Sequence, residues 1–249
     1  MKLLFAVALA ATAAWGQAAL AQTADESIEV ADDLIEHADT LIEAADGTVE
    51  AIDGAIETVD AMVEDADGAI EAGDAEGAKY ALGRADMVIE SADALVEGAD
   101  KLVESVDALI EQADAEVEMA RKAIADALGA KPESAPLKAV LAKLDAADGA
   151  VEAADAAVEA ADKAVETADK AIEATDKAIE DASAAVESGA MDAADKAIEQ
   201  ADAAAEAADA AIEAADRAVE QADGAIEAAD TAIESADRVV EILTLTGAL

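Results

Sequence analysis

Carboxylates one helical turn apart are the chemistry that recurs in this sequence. Glu36, Asp39, Glu43, Asp46, Glu50, Asp53, Glu57, Asp60 and Glu64 form one series, and Asp86, Glu90, Asp93, Glu97, Asp100 and Glu104 another. The spacings alternate between three and four residues. A helix turns once in 3.6 residues, so this alternation holds each series on one face as an acidic stripe. Hard cations are what such a stripe invites: Ca2+ takes about six to eight oxygen ligands, and neighbouring carboxylates can share an ion. One helix can offer only two or three side chains to any single ion, so water or acids from a neighbouring helix must complete each sphere. Such sites would be numerous, alike and individually weak. These fifteen acids are the candidate metal ligands, with Ca2+ or a lanthanide-like ion as the candidate cofactor and no organic cofactor implied.

The stripes belong to a seven-residue unit, roughly Ala-Asp-x-Ala-Ile/Val-Glu-Ala, that recurs from Asp32 to Glu241. With Ile or Val at position a (Ile42, Val49, Ile56, Val63), Glu falls at b, Ala mostly at c and d, Asp at e, and small apolar residues at g. On a helical wheel a, d and g make one apolar face, which c extends. The register breaks three times. Gly73 can close a helix and Asp74 cap the next; Gly129, Pro132 and Pro136 mark a loop; Ser188-Gly189 followed by Asp192 repeats the chemistry of the first break.

Helices are therefore expected over roughly 24–72, 74–128, 137–188 and 190–243. A constant offset of 116 relates Asp32 to Asp148, Gly73 to Gly189 and Glu111 to Glu227. The preserved offset at the glycine turns points to a duplicated hairpin. The expected fold is all-α: two tandem long helical hairpins, 22–128 and 137–243, joined by a linker at 129–136 and followed by a tail at 244–249. The hairpins would pack as an antiparallel four-helix bundle with Ala-rich heptad packing, or stand apart. The first carries Val88, Leu95, Leu102 and Leu109 at g, where the second has Ala197, Ala204, Ala211 and Ala218. It should have the more stable core, since burial contributes ~0.8 kcal/mol per CH2.

Residues 1–21 look like an export signal: Met1-Lys2, an apolar stretch from Leu3 to Ala14, and Ala19-Leu20-Ala21 as a cleavage site. A periplasmic or secreted protein without membrane insertion after signal removal follows. The formal charge is −45, from 60 acidic and 15 basic residues. It excludes nucleic acid and anionic membrane surfaces as partners, and favours cations or a basic protein. There is no cysteine and one histidine, so Zn2+ and Cu(I) are poorly served. Asp65-Ala66-Asp67-Gly68 lacks the remaining acids of a calcium loop. No nucleophile–base pair or phosphate loop is present, so no enzyme is expected. His37 reads as a surface residue, Tyr80 as packing for the hairpin corner, and Met62, Met87, Met119 and Met191 as gap-fillers.

Ile35-Glu36-His37-Ala38-Asp39, the turn Gly73-Asp74-Ala75-Glu76-Gly77-Ala78, and Arg84-Ala85-Asp86-Met87-Val88-Ile89-Glu90-Ser91-Ala92-Asp93 resemble the small metal-binding protein family of exported helical bundles. The resemblance implies exported cation binding on a heptad-like repeat. Of the slots where that family has histidine, only His37 is one here; Ala44, Ser91, Gly98 and Ala153 occupy others. Acids in place of imidazoles point to Ca2+ or a trivalent lanthanide. The competing expectation is an envelope structural protein, a coiled-coil spacer or an interaction protein, whose acidic face only provides solubility and whose Ala-rich faces self-associate. Against it stands helix one, which places Gly47, Gly54 and Gly68 between its acids. A Glu–Lys mixture there would have stabilised the helix by ~0.2–0.5 kcal/mol per pair.

Overall fold

Alanine and glutamate carry little entropic cost in a helix, and the heptad supplies each helix with an apolar seam to bury. The computed structural model describes the backbone of residues 2–246 and the side chains of residues 22–243. It contains four helices: α1 (Lys2–Glu71), α2 (Ala75–Ala130), α3 (Ala135–Glu187) and α4 (Met191–Thr246). α1 and α2 form one hairpin and α3 and α4 the other, and the hairpins pack as an antiparallel bundle. The expected signal (1–21) and tail (244–249) fall where side chains lie outside the described residues. Among the described residues no helix is long and apolar enough to cross a membrane.

The heptad positions sort cleanly by burial. Ile42 (a) and Ala45 (d) are buried, Asp46 (e) and Thr48 (g) half-buried, and Glu43, Ala44 and Gly47 (b, c, f) exposed. α2 repeats the pattern with Ile89 and Ala92 buried, Asp93 and Leu95 half-buried, and Glu90, Ser91 and Ala94 exposed. The core is therefore chiefly an a/d seam, joined at g by Ser27, Met62, Ala81 and Ala123. The sequence-based expectation that c extends the apolar face is corrected, because c points away from both neighbouring helices. The g leucines Leu95, Leu102 and Leu109 lie on the flank of the seam, half-buried. Thr175 is buried at a d position, where its hydroxyl donates to the Ala171 carbonyl at 3.0 Å.

The two short turns are built alike. Gly73 and Gly189 both have φ of 72°. The Asp74 N–H bonds the Ala69 carbonyl at 2.8 Å and the Ala190 N–H bonds the Ala185 carbonyl at 3.1 Å. This six-to-one closure satisfies carbonyls that the ending helix leaves unpaired. Asp74 then caps α2, accepting from the Gly77 N–H at 3.0 Å, as expected. Asp192 does not cap α4: the helix starts at Met191, which places Asp192 inside the first turn. There its charge favours the positive end of the helix. Ser134 caps α3 by accepting from the Leu137 N–H at 3.4 Å.

Glycines in turns and in helices should respond oppositely to substitution. A Cβ at Gly73, Gly189, Gly47 or Gly54 would meet nothing within 4 Å, so backbone preference alone decides the sign. Gly73→Ala and Gly189→Ala should each destabilise by about 1–2 kcal/mol. Gly47→Ala and Gly54→Ala should each stabilise by up to about 1 kcal/mol. Urea denaturation midpoints read both.

The chain divides into two compact units, each holding one segment of all four helices. One comprises residues 1–40, 106–156 and 223–249; the other comprises 41–105 and 157–222. Both are antiparallel four-helix arrangements around a/d cores. Ile28, Ile35, Ile110 and Leu144 are fully buried in the first, and Ile42, Ile56, Ile89 and Ile172 in the second.

Candidate cation-binding seams

In an antiparallel bundle, e positions of adjacent helices meet on one side of the a/d seam and g positions on the other. Here the e side falls between α1 and α4 and between α2 and α3. Asp46 lies against Asp216, Asp53 against Asp209 and Asp60 against Asp202, one residue number falling by seven as the other rises by seven. In the other unit Asp32 meets Asp230 and Asp25 faces Asp237. Between α2 and α3 the pairs are Asp86 with Asp176, Asp93 with Asp169, Asp100 with Asp162, and Asp114 with Asp148. Aspartate thus faces aspartate along both seams. The g positions are left for the hairpin partner, so α1 meets α2, and α3 meets α4, on sides that are uncharged but for Glu116 and Lys143.

Each seam repeats one groove. Ile110, Glu111 and Asp114 of α2 join Val151, Glu152 and Asp155 of α3 around about 410 Å³. Ile56, Glu57 and Asp60 of α1 join Ala205, Glu206 and Asp209 of α4 around about 350 Å³. Val96, Glu97, Asp100 and Glu104 join Asp162, Val165, Glu166 and Asp169 in a third, of about 310 Å³, which Lys170 also lines. In the first two, two a residues form the floor and two b glutamates and two e aspartates the walls; in the third, three glutamates and three aspartates form the walls. Four carboxylates therefore surround each of the first two grooves, and six the third. Among the described residues, however, no three His, Cys, Asp or Glu side chains converge closely enough to hold an ion as they stand.

Burial and crowding raise the proton affinity of several seam aspartates. Burial first, and then the charges of Asp230, Glu36, Asp237 and Glu234, push the Asp32 carboxyl from 3.8 to about 6. Burial and facing carboxylates also raise Asp46, Asp53, Asp60, Asp162, Asp169 and Asp176. Lys163 and Lys170 pull the other way on Asp162 and Asp169. The Oδ1 atoms of Asp32 and Asp46 are buried with no hydrogen-bond partner. A buried carboxylate oxygen left in that state is costly unless it gains a proton or a cation.

The candidate ligands divide accordingly. Asp39, Asp46, Asp53, Asp60, Asp86, Asp93 and Asp100 are half-buried on the seams, while Glu36, Glu43, Glu50, Glu57, Glu64, Glu90, Glu97 and Glu104 are exposed. Sequence reasoning missed the partners across the seam: Asp148, Asp155, Asp162, Asp169 and Asp176 of α3, and Asp202, Asp209, Asp216, Asp230 and Asp237 of α4. Their e register was the available signal, once e is matched with e′ in antiparallel helices. His37 is exposed, as expected. Tyr80 does not pack the hairpin corner: it is 70% exposed, with the Arg84 guanidinium 5.9 Å from its ring centre. Met62 is buried as a gap-filler, whereas Met87 and Met119 are exposed. The chain matches no protein-family model and no curated protein.

Proposed function

We propose that the protein is a non-enzymatic cation buffer, holding hard ions such as Ca2+ or a trivalent lanthanide along its two aspartate seams. The observation that supports this is the recurring groove, in which four to six carboxylates from two helices face one another without a ligand set already closed around an ion. Ions enter such grooves with much of their water, so the sites are many, similar and weak. Affinities near ~10⁻⁴–10⁻³ M suit extracellular calcium modules and fit the export that residues 1–21 suggest. The exposed glutamates at b add a diffuse field that raises the local cation concentration.

Equilibrium dialysis at physiological salt against Ca2+, Mn2+, Cu2+, Zn2+ and La3+, followed by metal analysis, tests this reading. Several equivalents of a hard ion should be retained. That ion should also raise the melting temperature more than NaCl of equal ionic strength. Asp60→Asn with Asp209→Asn should lower uptake more than Glu64→Gln with Glu213→Gln. Equal effects from NaCl would reduce the seams to ordinary screening.

A further inference from the structure

Two sides of the bundle carry the aspartate seams, and the other two do not. In the unit of residues 41–105 and 157–222, g is Leu95 and Leu102 on α2, and alanine throughout on α3 and α4, as at Ala164, Ala171, Ala204 and Ala211. These g residues are half-buried, and most of the c and f positions beside them are exposed. Asp65 and Asp181 are the only acids at c or f in this unit. Each hairpin therefore presents an outer face built from g, c and f of two helices.

The two faces complement each other in size and in charge. On the α1·α2 face the leucines stand beside exposed Tyr80 and Met87. On the α3·α4 face the same g row is alanine, which leaves it shallow. From residue 41 to Glu71, α1 has no lysine or arginine. It places Gly47, Gly54 and Gly68 at f, beside the exposed b glutamates Glu43, Glu50, Glu57 and Glu64. α3 places Lys163, Lys170 and Lys177 at f. Both series keep a seven-residue period, about 10.5 Å along a helix, so they stay in step. A Cβ at Gly47, Gly54 or Gly68 would meet nothing within 4 Å. That open lane lets a lysine stem cross the ridge to the glutamates behind it, which gives glycines that weaken an isolated helix a use.

We propose that the α1·α2 face of one copy docks on the α3·α4 face of a second copy, α1 lying under the lysines of α3 and the leucine ridge of α2 on the alanines of α4. The faces differ, so the contact is heterologous and each copy keeps a face free for the next. Each face is about 25 residues long and two helices wide, roughly 750 Å², close to the ~800 Å² per partner of a standard interface. The charge of −45 repels copies at a distance. Physiological salt screens that repulsion beyond ~8 Å and leaves the facing pairs to decide. Lys163 and Lys170 bond Glu159 and Glu166 of their own helix at 3.2 Å and 3.1 Å. Exposed pairs of this kind hold little energy, so the lysines can exchange partners. The contact leaves the aspartate seams uncovered and needs no metal, so it stands or falls separately from cation buffering.

Sedimentation velocity of the full chain, in chelator and physiological monovalent salt over roughly 10 μM to 1 mM, tests the proposal. The average mass should rise with concentration past that of a dimer. Gly47→Lys with Gly54→Lys should raise the melting temperature, since it removes helical glycine and adds Glu–Lys pairs one turn apart. The same variant should nonetheless associate at least ~10-fold more weakly, because it sets lysine against lysine. Lys163→Glu with Lys170→Glu should weaken association as much. Mixing the two variants should restore it, because each keeps the face that the other has lost. A chain that stays monomeric over this range overturns the proposal. So does association retained by either variant alone, or a mixture that stays monomeric.

Discussion

Acidification from about pH 8 to about pH 5 is expected to raise the melting temperature, the reverse of ordinary acid denaturation. Most proteins pair their carboxylates with cations, which lowers the folded-state pKa and makes protonation destabilising. Here burial first, and then the facing carboxylates, raise the folded-state affinity of Asp32, Asp46, Asp53 and Asp60 for protons. The folded chain therefore binds more protons than the unfolded chain between the two pKa values. Stability is fully present below the unfolded value of 3.8 and is lost as pH rises through the folded value, about 6 for Asp32. The difference converts to ~3 kcal/mol at full weight, which solvent contact by the rest of the half-buried side chain cuts to about 1 kcal/mol. Asp32→Asn should recover about that much at pH 8 and flatten the pH dependence. Thermal melts followed by circular dichroism across this range decide the matter. A melting temperature that rises with pH would mean that the facing acids are separated by solvent and ions more effectively than the structure indicates.

The second large effect lies in the core. Ile89 is fully buried at a, and truncation to Ala should cost about 2–5 kcal/mol in transfer energy and cavity. Leu95 has the same number of side-chain carbons but sits half-buried at g. Leu95→Ala should cost about 1 kcal/mol, since only part of its surface leaves water on folding. Chemical denaturation of the two variants measures the contrast directly. Equal costs would show that g belongs to the core and that the buried seam is wider than a and d.

That contrast marks where helical periodicity stops informing. The repeat of Ile42, Val49, Ile56 and Val63 with Ala45, Ile52 and Val59 places a and d on the buried face, though periodicity alone widens that face to g and c. The Gly73 and Gly189 turns follow from one residue type that tolerates positive φ. Most helix limits came within a few residues, Ala135-Pro136 extending α3 back into the expected linker and Ala130 carrying α2 past Gly129, but α1 starts at Lys2 where a start near residue 24 was expected. The acidic stripe was legible too, but as a single face. It is two rows with different surroundings, exposed glutamates at b and half-buried aspartates at e.

The sequence by itself determined four helices, their seam, their turns and an aspartate at most e positions. These are local properties, set by 3.6 residues per turn and by the backbone preferences of Ala, Gly and Pro. Only the tertiary structure decided that e meets e′ between α1 and α4 and between α2 and α3. The heptad looks the same whichever way the second hairpin docks. The consequences for chemistry depend on that docking. Asp32 near pKa 6, grooves of four carboxylates, and Arg121 bridging Asp145 and Asp148 all arise between residues distant in the chain. Electrostatic energy falls with distance through space, and no local pattern records which helix will supply the neighbouring charge.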